Sequence, residues 1–118
     1  MNIEELRDYC LNFKGVTEEC PFGPDVLVFK VMGKMFALMP LDTPALRISL
    51  KNSPEINQAL RSEYGFITGA FHMSKVHWNS ILIDFSVKKD LIFSLVSESY
   101  EIVKQGLTKK LKAELEAI

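Results

Sequence analysis

The sequence predicts an α+β fold, a two-layer sandwich in which helices pack on one face of an antiparallel β-sheet. Three observations carry this. The chain has 118 residues, the length of one domain, so residues 1–118 are read as a single unit. Its apolar patterns run helix, three strands, helix, one or two strands, then two helices. The links between strands are short and hairpin-like, which antiparallel pairing allows and parallel crossovers do not.

The elements follow in order. Ile3, Leu6, Cys10 and Phe13 recur at steps of three and four, the mark of one helical face. Glu4, Glu5 and Asp8 sit in the first turns, where they suit the helix dipole, and Gly15 is the expected C-terminal cap. Residues 15–25, punctuated by Gly15, Pro21, Gly23 and Pro24, are expected to be irregular. Val26 to Val31 and Lys34 to Met39 read as a hairpin turning at Met32-Gly33, and Ala45 to Leu50 as a third strand. In that strand Leu46, Ile48 and Leu50 face one side and Arg47 and Ser49 the other; Lys51 joins the Arg47 side if the strand extends. Ser53-Pro54 opens a helix whose buried stripe is expected to be Ile56, Ala59 and Leu60, with Gly65 after it. Ser80 to Asp84 reads as a strand, Ser86 as the cap of a long amphipathic helix, and Thr108 as the cap of a short last one with Leu111, Leu115 and Ile118 on one side. One sheet face is thereby covered by the first and the long helix, and the other is left at least partly wet.

Composition sets bounds. A hydrophobic share of 47% can fill a core, and scaling expects about 6,500 Å² of surface after folding. The net charge is −1, which excludes a strongly basic coat protein or an acidic tail protein. The balance is uneven. Residues 1–42 hold 4 basic and 7 acidic groups, while residues 43–118 hold 10 basic and 8 acidic. No run of 18 apolar residues is present, so no membrane partner is expected, and the acidic, amphipathic start reads as no signal peptide. Two cysteines, Cys10 and Cys20, fit free thiols in a reducing cytoplasm.

The densest chemistry lies in His72-Met73-Ser74-Lys75-Val76-His77-Trp78-Asn79. A cation can hold a phosphate, an amide can donate, and an indole can stack on a base. The plainer account is a loop leading into a strand, with Trp78 closing the core edge. His72 and His77 stand five apart, which suits neither one strand face nor the i, i+4 helical pair of zinc enzymes, so no metal site is expected. Cys10 lies on an apolar stripe and Cys20 beside Glu18 and Glu19, settings that disfavour a thiolate. No nucleotide-loop or nucleophile-elbow motif occurs. Enzymatic activity and cofactors are therefore not expected. Arg47, Lys51, Arg61 and Lys75 concentrate in the middle of the chain, with Lys30 and Lys34 flanking the first hairpin, so a basic, partly aromatic sheet face is possible.

Pro21-Phe22-Gly23, the run Phe29 to Ala37, Ser49-Leu50-Lys51, Ser53-Pro54-Glu55, His72 to Asn79 and Asp84 together resemble the MmcQ/YjbR family across nearly the whole chain. The Lys-x-His-Trp segment is its most specific mark. Ser74 stands where the family often has Asn, and Phe85 where a Gly often follows the Asp. The resemblance implies a fold similar to frataxin and DNA binding through a double-wing arrangement of β-structure. It does not extend frataxin-type iron binding to this chain, whose first helix carries only Glu4, Glu5 and Asp8.

The leading expectation is a cytoplasmic, non-enzymatic DNA-binding protein, monomeric or homodimeric. Arg47, Lys51 and Lys75 would contact phosphates, and His77, Trp78 and Asn79 would shape or touch the groove. Weak non-specific affinity is expected from so few cations. The alternative is a protein- or small-ligand-interaction module using the open sheet face near Trp78, which requires a concave apolar pocket beside Trp78 and Phe71.

Overall fold

The computed structural model describes residues 1–70 and 73–118; Phe71, expected to line a pocket, and His72, weighed as a metal ligand, lie outside the described residues. The chain forms α1 (Ile3–Leu11), β1 (Val16–Glu19), β2 (Val26–Val31), β3 (Lys34–Pro40), β4 (Leu46–Lys51), α2 (Pro54–Glu63), β5 (Ile67–Gly69), β6 (Trp78–Ile83), α3 (Lys89–Gln105) and α4 (Lys109–Glu116). The strands make one six-stranded sheet in the order β1-β2-β3-β4-β6-β5. Every neighbouring pair is antiparallel. The fold is α+β, as the sequence predicts, and its exposed surface is 6820 Å².

The β2–β3 hairpin turns at Met32 and Gly33, both with positive φ (49° and 85°), the backbone of a tight turn whose twist matches the strands. A bulge between Phe29 and Lys30 leaves Phe36 without a partner on β2. The extra residue lets Phe36 and Ala37 both enter the same core cluster, whereas strict alternation would send one of them to the opposite face.

That core lies between the sheet and α1 and α3. Leu6 and Cys10 from α1, and Ile92, Val96 and Tyr100 from α3, meet Phe29, Met39, Ile48 and Ile81. Phe13 stacks on Tyr100 with ring centroids 4.6 Å apart, and Lys89 pairs with Glu5 to tie α3 to α1. Ser99, fully buried, donates to the Phe36 carbonyl (2.6 Å) and accepts from the Lys51 amide (2.8 Å). The β3–β4 register holds at Ala37↔Leu50 and Leu38↔Ser49, so the Ser99 hydroxyl acts as a further rung beyond it.

Several local expectations are corrected. Residues 16–19 form an edge strand where an irregular segment was expected. Its Glu18 and Glu19 are paired with Arg7 and Lys30, contacts that strand propensity alone does not reveal. Helix α1 ends at Leu11 with Asn12 as cap, short of Gly15. Gly15 adopts φ +75°, and a Cβ there would collide with Leu115 Cδ1, so the glycine admits α4 against the core. Helix α2 is capped by Ser53 as expected, its side chain accepting from Ile56 N at 3.3 Å. Its buried residue, however, is Asn57, while Ile56 is 41% exposed and Ala59 is exposed. Lys88, not Ser86, precedes α3, because the Ser86 amide and hydroxyl are both engaged by the Asp84 carboxylate. Thr108 caps α4, and Leu115 is buried, but Ile118 is 69% exposed.

Candidate binding cleft on the open sheet face

The other face of the sheet has no helix over it in the described contacts. Alternation places Val26 and Val28 of β2, Leu38 and Pro40 of β3, Arg47, Ser49 and Lys51 of β4, and Trp78 and Ser80 of β6 on this side. Val28, Leu38, Ala70 and Trp78 form a second, small apolar cluster with Val26, Met35 and Met73 packed around it. Beside it lies a cleft of about 820 Å³, within the range of roughly 300–1,000 Å³ typical of ligand sites. Trp78 and Met73 are part of its lining, as is Phe22, which is 63% exposed.

The floor is divided in its chemistry. Across β2 and β3 it is apolar, through Val26, Met35, Leu38 and Pro40. Across β4 and β6 it is polar, through Arg47, Ser49 and Ser80. Ser49 and Ser80 are direct cross-strand partners, and Thr68 of β5 pairs with Ser80, so hydroxyls run in a row across three strands.

The residues expected to form one DNA-contacting set are divided by the fold. Arg47 lines the cleft, half-buried. Lys51 shares its face opposite Trp78, about 13 Å further along the strand. Trp78 is buried to 8% exposure, its indole presented as wall and not as a free stacking surface. Asn79 points the other way and is 2% exposed. Its amide donates to the Asn57 carbonyl (3.2 Å) and accepts from Arg61 Nη1 (2.7 Å). Lys75 and His77 are exposed in the segment before β6. The Lys75 methylenes lie against Gly69, and its carbonyl accepts from Arg61 at 2.8 Å. The His77 carbonyl accepts from Asn52 N at 3.1 Å.

Asn57 completes this lock by donating to the Asn52 and Val76 carbonyls, both at 3.2 Å. Arg61, Asn57 and Asn79 therefore fasten the 73–77 segment to α2 and set where Met73 and Trp78 meet the cleft. The Lys-x-His-Trp-Asn run supplies architecture at one position, Asn79, and the cleft wall at the next, Trp78. Sequence reading missed Met35, Leu38, Ser49 and Ser80 as cleft residues. The available signal was the second face of the same alternation that placed Arg47 opposite Leu46 and Ile48.

Cys10 has no exposed surface, and burial pushes its thiol pKa up to about 12. Cys20 is exposed and free. No group of three or more His, Cys, Asp or Glu side chains is placed to hold a metal ion among the described residues. No helix among them is long and apolar enough to cross a membrane.

Comparison with known proteins gives a consistent family likeness. The family model described as YjbR matches residues 11–102. The protein YjbR of Escherichia coli K12 is 30% identical over 101 residues, 86% of this chain and 86% of that protein. YbdF of Escherichia coli O157:H7 is 33% identical over 90 residues, 76% of this chain and 74% of that one. Among solved structures, the Deinococcus radiodurans protein DR2400, of domain family DUF419, superimposes with a TM-score of 0.90 at 34% identity, covering 98% of this chain and 88% of that chain. A Pseudomonas syringae protein gives a TM-score of 0.74 at 28% identity, covering 86% and 98%.

Proposed function

The chain belongs to the YjbR family, and from that premise we propose that it is a non-enzymatic binding module whose open sheet face receives a ligand with an apolar body. The observation that supports this best is the cleft of about 820 Å³ with Trp78 in its wall. A face that leaves Val26, Met35 and Leu38 beside open space gains by covering them, at roughly 25 cal/mol per Å² of apolar surface removed from water. The reading includes a cytoplasmic setting, in which the exposed Cys20 thiol persists unoxidised.

Trp78 is the only tryptophan, so binding can be followed by its emission. Titration with Nile red, an uncharged apolar dye, is expected to saturate at one site and to change Trp78 emission. Ser80→Phe places a ring on the cleft floor and is expected to abolish both signals while leaving the far-ultraviolet dichroism unchanged. Unsaturable dye uptake, or uptake indifferent to Ser80→Phe, overturns the reading.

DNA is the second reading, favoured by Arg47 and Lys51 sharing the open face. Duplex anisotropy at two salt concentrations tests it. Phosphate contacts require a log–log slope of about −0.9 per neutralised phosphate. Binding with that slope that survives Ser80→Phe supports DNA over the cleft ligand, and no binding at low salt and tens of micromolar protein removes it.

A further inference from the structure

The chain has three arginines, Arg7, Arg47 and Arg61. Arg7 is engaged by Glu18. Arg61 donates to the Lys75 carbonyl and to Asn79. Arg47 is half-buried in the cleft and, among the described residues, makes neither hydrogen bond nor ion pair. A guanidinium carries five N–H donors in a planar fork, and since no buried side-chain nitrogen or oxygen lacks a partner among the described residues, the donors of Arg47 open onto the cleft. The hydroxyls of Ser49 and Ser80, two residues along the floor from Arg47 and its partner Leu82, are also without protein partners among the described residues.

We propose that the cleft takes an amphipathic monocarboxylate, its carboxylate seated on the Arg47 fork with the Ser49 and Ser80 hydroxyls beside it and its apolar body lying over β2 and β3. This rests on the cleft being a binding site. Charge and shape select the head group. One guanidinium matches one planar carboxylate through two parallel hydrogen bonds. A dianion would exceed that single charge and would also meet Asp42, which lines the same cleft and is exposed. The apolar half of the floor excludes a ligand that is all head group.

The test compares decanoate, decanol and decyl phosphate at pH 8, read by Trp78 emission and by calorimetry, with Nile red displacement in parallel. Decanoate is expected to bind about tenfold or more tightly than decanol, the ratio that a charge-assisted hydrogen-bonded pair supplies. Arg47→Gln is expected to bring decanoate down to the affinity of decanol. Decyl phosphate is expected to bind more weakly than decanoate. If Nile red binds and decanoate is no better than decanol, the carboxylate assignment falls while the cleft reading stands. Tighter binding of the phosphate overturns the monoanion assignment. If none of the ligands binds and Nile red is not taken up, the failure belongs to the cleft reading itself.

Discussion

Cys10 shows how burial fixes the chemistry of one side chain. With no exposed surface, its thiol is held neutral, and its pKa rises from 9.0 to about 12 because the thiolate would be desolvated. In the unfolded chain the thiol ionises near its ordinary value. Between about pH 9 and pH 12 the unfolded state therefore binds fewer protons, and stability falls as pH rises. Each pH unit in that window removes up to about 1.4 kcal/mol. Urea unfolding at pH 8.5 and pH 10.5 is expected to show the native chain losing about 2 kcal/mol more than Cys10→Ala over that interval; equal losses would refute the linkage. The inert thiol was legible in the sequence, since Cys10 falls on the apolar stripe of α1. Asn79 was not. Read within the eight-residue run His72 to Asn79, most of it polar or aromatic, it looked like a donor to a ligand. Its role depends on Asn57 and Arg61, 22 and 18 residues away, and only the fold brings these together. The sequence reading began this strand at Ser80, two residues late, and so missed that Trp78 and Asn79 face opposite ways.

The elements divide by the source of their order. Helix α3 and strands β2 to β4 carry their periodicity in their own residues, and the sequence located each of them to within a residue or two at most ends. Strand β1 and the inward face of α2 take their order from neighbours: ion pairs to Arg7 and Lys30 in one case, hydrogen bonds of a buried Asn57 in the other. Ser99 is the sharpest case of such borrowing. From α3 it bridges the backbones of β3 and β4. Ser99→Ala takes the donor from the buried Phe36 carbonyl, at about 1–3 kcal/mol, and the acceptor from the part-buried Lys51 amide, at somewhat less. The urea midpoint is expected to drop by an amount equivalent to about 2 kcal/mol or more, with an unchanged slope. A change under about 0.5 kcal/mol, the range of ordinary surface substitutions, would show that the rung carries no weight.

At the scale of the molecule, one covered face and one bare face follow from two helical stripes serving one sheet. That asymmetry was legible, because the alternating strands offered two faces and the apolar stripes of α1 and α3 were enough to close one. The cleft was not legible in depth or lining, since Phe22 from before β2 and Met73 and Ser74 from before β6 join the strand residues in its lining only through the fold. The strand order adds a consequence of its own. Strand β6 lies between β4 and β5 although β5 precedes it in the chain. The three-residue β5 is therefore an outermost strand, held by β6 on one side alone. Such margins open locally at a free energy below that of global unfolding. Amide hydrogen exchange at residues 67–69 is expected to outpace that of the paired amides of β4 by at least about tenfold, and equal protection would refute it. A margin that opens next to Trp78 would give the cleft a hinge on the timescale of local unfolding. Ligand residence times would then be governed by how often this flank lets go, and not by the depth of the floor beneath it.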